Sequence, residues 1–101
     1  MADSKNLSLP INGDYEVRIE YSEDFVIFHL PYIAKMTPGV YKDMVIRLED
    51  FWEFAQTVGY KAIFGALDPE NKKMERLVEM LGFKFLNYGD GLKVFIYKGD
   101  K

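Results

Sequence analysis

The spacing of apolar residues changes period along this chain, and that change restricts the fold more than any other feature. Tyr15, Val17, Ile19 and Tyr21 alternate with Glu16, Arg18, Glu20 and Ser22. Period two is the pattern of a strand with one face covered. Residues 25–30 form a continuous β-rich run, as in a more central strand, which Pro31 is expected to end or to mark as an edge. Thr37-Pro38-Gly39 reads as a break. From about residue 41 to 58 the spacing becomes three and four: Met44, Leu48, Phe51, Trp52, Ala55 and Val58 fall on one helical stripe, and Gly59 is placed to cap it.

The second half repeats the alternation of strand and helix. Residues 62–67 are a short apolar run, read as a buried strand. Asp68-Pro69-Glu70-Asn71 reads as a helix start, with an Asp cap and Pro in the first turn. Met74, Leu77, Val78 and Leu81 give a second helix one apolar face, and Gly82 stops it. Residues 83–88 and 92–97 are strands joined through Gly89-Asp90-Gly91, a hairpin signal. Ahead of all this, residues 7–11 hold Pro10 and precede an Asn12-Gly13 turn, which suits an edge strand. The expected order is β-β-α-β-α-β-β. That is an α+β fold, a mixed and mostly antiparallel sheet of about five strands with two main helices. Residues 1–101 form one domain, with 1–6 and 99–101 as loose ends.

Composition narrows the chemistry. The 101 residues include no cysteine and one histidine. Disulfides, thiolate catalysis and Cys-ligated metal are excluded, and so is a multi-His metal site within one chain. A net charge of −3 argues against a nucleic-acid partner. No run of apolar residues is long enough for a membrane span, and the start lacks the apolar stretch of a secretory signal, so a cytoplasmic location is expected.

Few side chains stand out for chemistry. His29 is the one imidazole and shares a strand face with Ile27; no partner acid can be assigned to it from sequence. Glu20 and Glu23, near the strand turn, are the other candidate bases. Phe54 lies off the centre of the first helical stripe, and with Met80 and Tyr88 it is a candidate interface residue. Lys72, Lys73 and Arg76 make a small basic patch, offset by Glu75 and Glu79 on the same helix.

The run from Asn71 to Phe83 resembles the last motif of the GNAT acetyltransferase superfamily, N-x-x-A-x-x-L-Y-x-K-x-G-F. Asn71, Leu77, Gly82 and Phe83 fall at matching spacing. The resemblance covers about residues 40–98 and is nearest to the small, divergent GNAT-like proteins of tailed bacteriophages. It implies a pair of adjacent strands that splay apart, reached after the first helix. It also implies acetyl-CoA, with the pyrophosphate on backbone amides of a Q/R-x-x-G-x-G/A loop. The equivalent residues here are Met36 to Tyr41. Gly39 fits, Met36 and Tyr41 do not, and Pro38 removes a donor. If acetyl-CoA binds, the resemblance places it on Gly39, Val40, Tyr41 and Asn71. The family's frequent general acid is a Tyr four residues before the Gly; that position is Val78, which has no proton to give.

Three functions follow as expectations. The first is a divergent GNAT-fold protein without acetyl transfer and without a cofactor. It binds a protein partner or its own copy, as a virion component or host-takeover factor in the host cytoplasm. The second is an acetyl-CoA-dependent N-acetyltransferase with a degenerate cofactor loop. The third is an unrelated small α/β interaction domain.

Overall fold

A computed structural model describes residues 4–99. Its elements are β1 (Lys5–Ile11), β2 (Tyr15–Tyr21), β3 (Val26–Ile33), α1 (Pro38–Thr57), β4 (Ile63–Leu67), α2 (Lys72–Met80), β5 (Lys84–Gly89) and β6 (Leu92–Tyr97). The fold is α+β, with two helices on one six-stranded mixed sheet of order β1-β2-β3-β4-β6-β5. Every neighbouring pair is antiparallel except β3 and β4, which flank the crossover through α1.

The sheet has one strand more than about five, because residues 5–11 pair along their whole length with β2. Lys5 and Asn6, expected as loose, lie opposite Tyr21 and Glu20. At the other end Gly99 is half-buried against Trp52 rather than loose. Residues 1–3, 100 and 101 of the expected loose ends lie outside the described residues.

Both helices cover the same face. Tyr97, opposite Ile63 in the β4–β6 register, meets the Trp52 ring of α1 edge-on at 6.0 Å between centroids. Lys93, opposite Leu67 on that same face, donates to Glu75 of α2 at 2.9 Å. Tyr41 of α1 donates its hydroxyl to the Met80 carbonyl at the end of α2. The core lies between this layer and the sheet. It joins Tyr15, Val17, Ile19 and Val26 of the first strands to Met44 and Leu48 of α1, Ile63 of β4 and Phe95 of β6. Burying side chains of this size contributes about 1.5–3 kcal/mol each.

Pro31 does not end its strand. Arg18 pairs with His29 and Glu16 with Tyr32, so Val17 alone faces both Leu30 and Pro31. This is a β-bulge, a place where a proline fits because no regular ladder donor is required. The extra residue changes the phase of the strand. Val26 and Phe28 face the helices before it, and Ile33 rather than Tyr32 faces them after it.

The Thr37-Pro38-Gly39 break is the start of α1. Thr37 is the N-cap, its Oγ1 accepting from the Val40 amide at 3.1 Å, and Pro38 occupies the first turn, where a missing N–H costs nothing. In α2 the cap is Asn71, not Asp68: Asn71 Oδ1 accepts from the Met74 amide at 3.1 Å, while Asp68 Oδ1 turns the chain by accepting from Glu70. Val58, placed on the core stripe by spacing, is 54% exposed just beyond α1.

Candidate functional site

The parallel strands part almost at once. Ile27 and Phe64 are the one registered pair between β3 and β4. Beyond it an open cleft of about 220 Å³ lies between His29 and Leu30 on one side and Ala66 and Leu67 on the other, with Val78 and Phe83 below. Strand backbone that diverges leaves ladder groups without their usual partners, and such gaps suit a ligand with amide-like groups.

His29 lines this cleft and does have an acid beside it. Its Nε2 lies 3.2 Å from Glu20 Oε1, the two side chains being 20% and 28% exposed. Glu20 Oε2 accepts from the Ser4 hydroxyl at 3.1 Å, and neighbouring Arg18 donates to Asn6 Oδ1 at 2.7 Å. All of these side chains stand on the sheet face away from the helices. A carboxylate on one ring nitrogen orients an imidazole as a general base requires. Glu23 is exposed in the turn between β2 and β3 and takes no part in this pair. The pairing joins adjacent strands diagonally, so only the register reveals it.

The four residues expected to hold a cofactor are brought to the neighbourhood of α1's start and α2's start, but most of their donors are committed. Pro38 has no N–H, Val40 gives its amide to Thr37 Oγ1, and Tyr41 gives its amide to the Thr37 carbonyl. Gly39 is left as the one donor of that turn for an anion. The Tyr41 hydroxyl reaches Met80 O at 2.8 Å. Asn71 spends its side-chain oxygen on the α2 cap.

Between α1 and α2 a second cleft, of about 550 Å³, is lined by Ile33, Met36, Tyr41 and Met74 and rimmed by Lys72, Lys73 and Arg76. Close to its wall, Glu75 accepts from Lys93. The lysine's hydrogen bond holds the Glu75 carboxyl below its ordinary range and raises the Lys93 ammonium in return.

The largest of these three concavities is a groove of about 740 Å³ between α1 and the outermost strands. Its floor is Leu7, Leu9, Val17 and Ile19, and its wall is Phe51, Phe54 and Val58. It exists because α1 covers the helix-facing side of β2 and β3 and leaves β1 bare. Leu7 is 50% and Phe54 60% exposed. The candidate interface residues do not form one surface. Phe54 walls this groove, Met80 lines the cleft between the helices, and Tyr88 packs edge-on against Phe85 on the opposite edge strand.

Among the described residues no group of three or more His, Asp or Glu side chains could hold a metal ion, and no helix is long and apolar enough to cross a membrane. No protein-family model, curated protein or solved structure matches the chain.

Proposed function

We propose that this chain is a divergent GNAT-like protein that has lost acetyl transfer and acts by binding a protein partner. The observation that carries this reading is the closed start of α1. Holding a diphosphate at a helix start takes several convergent amides, and the Thr37 cap together with Pro38 leaves one. The parting of β3 and β4 after a single registered pair supports the GNAT resemblance itself. The bare groove of Leu7, Leu9, Phe54 and Val58 supports the binding role, since contiguous exposed apolar surface marks interaction sites. The phage resemblance sets that role in the host cytoplasm or the virion.

Two observations favour the acetyltransferase as a second reading: the His29–Glu20 pair at the strand split, and the cation-rimmed cleft between the helices. Thermal unfolding with and without millimolar acetyl-CoA separates the two. A ligand at 100 times its dissociation constant adds about 2.7 kcal/mol, several degrees for a domain of this size. The proposed reading expects no shift. A shift that disappears in Gly39→Val would replace it with the enzyme.

A further inference from the structure

We infer that the groove between α1 and β1 receives one amphipathic α-helix of a partner protein, about four turns long, with basic residues flanking its apolar face. The inference rests on the protein-binding reading and names the partner's chemistry.

The dimensions argue for a helix. The groove floor spans β1 and β2, two strands or roughly 10 Å across, which is the diameter of one α-helix. β1 has seven residues, so the floor is about 23 Å long, the rise of about fifteen helical residues. A helix laid there would continue the layer that α1 begins, at the same height above the sheet. The edge of β1 is poorly suited to the alternative of strand addition. Pro10 lacks an amide, and Asp14 donating to the Ile11 carbonyl fixes the register in which Pro10's nitrogen points outward.

The rim charges argue for basic flanks. Asp50 lines the groove, and Glu53 follows it on the exposed side of α1. The turn carrying Glu23 and Asp24 closes one end, held beside the wall by the Tyr60 hydroxyl donating to the Ser22 carbonyl. Arg47 is the one cation among the groove's lining residues, and it is bound to Asp43 at 2.9 Å. Glu49, Asp50 and Glu53 also crowd the C-terminal half of α1, whose last turn holds no basic residue. Two copies docked groove to groove would set like charges face to face, which argues against a second copy as the occupant.

The test uses the full chain and three labelled 16-residue peptides: a helical Leu/Lys amphipath, the same pattern with Glu for Lys, and a scrambled Leu/Lys sequence. Fluorescence anisotropy is expected to show the first binding at least tenfold more tightly than either of the others. Leu7→Asp and Phe54→Asp change exposed residues, so both should keep their circular dichroism and weaken binding at least tenfold. Asp50→Lys with Glu53→Lys should reduce the preference for Lys over Glu flanks. Equal binding of the scrambled or the acidic peptide would overturn the inference, as would no binding at 100 µM. So would sedimentation showing a dimer that Phe54→Asp dissociates, because the occupant would then be a second copy. None of these readouts involves the start of α1, so the acetyl-CoA shift can fail or succeed independently.

Discussion

Tyr15 donates its phenolic proton to Asp43 Oδ2 at 2.8 Å and so ties the second strand to the first helix. The same oxygen accepts from Arg47 Nε at 2.9 Å. Burial, and then the neighbouring carboxylate, push the Tyr15 hydroxyl well above its ordinary range. The neutral phenol is therefore favoured in the folded state. Its contribution to stability is complete below about pH 10 and is lost as the pH climbs above that value. Tyr15→Phe should cost about 0.5–1.5 kcal/mol at neutral pH, a loss of a few degrees in melting temperature, and should flatten the alkaline limb of a plot of stability against pH.

The acid limb has other owners. Arg47, and secondarily Tyr15, hold the Asp43 carboxyl below its usual range, and Lys93 does the same for Glu75. Both acids have depressed values in the folded state. Their stabilisation is present above about pH 4 and is lost as the pH falls through the folded values. Lys93→Met should make urea stability less sensitive to acid below pH 4 than in the parent chain.

Thr37 and Asn71 each close a helix start with one side-chain bond. Thr37→Ala and Asn71→Ala should each cost about 1 kcal/mol, and Thr37→Ser should cost little, as read by thermal melts. Acetyl-CoA should shift none of these melts.

Trp52 is the chain's one tryptophan, and Gly99 lies against its indole edge at a positive φ of 73°. A Cβ at Gly99 would overlap Trp52 Nε1. Gly99→Ala should therefore displace the ring from Tyr97 and move the tryptophan emission to longer wavelength. An unchanged spectrum would show that the chain end accommodates the methyl group without disturbing Trp52.

Much of the fold was legible because local chemistry and global packing agree. The stripes of α1 and α2, the stops at Gly59 and Gly82, and the hairpin at Asp90-Gly91 are all decided within a few residues. Gly82 has a φ of 109°, and a Cβ there would stand 3.1 Å from Tyr97 Cε1, so the motif glycine also answers to packing. Non-local features were not legible. The strand at Lys5 carries no strong apolar signal because it is an edge, exposed at every residue but Ile11. Thr37-Pro38-Gly39 has the composition of a break and the geometry of a cap. Glu20 meets His29 only because the turn from Ser22 to Phe25 sets the register. The groove combines leucines from one strand with a phenylalanine some 45 residues away, and no local pattern connects Leu9 to Phe54.

The bulge at Leu30 and Pro31 makes this segment tolerant of a shortened chain and intolerant of a lengthened one. Deleting either residue would restore simple alternation opposite Val17, with the Tyr32 phenol still out in water and the Ile33 butyl group still turned inward. A conservative exchange at Leu30 alters volume alone, whereas one added codon here would invert the inside and the outside of everything up to Thr37.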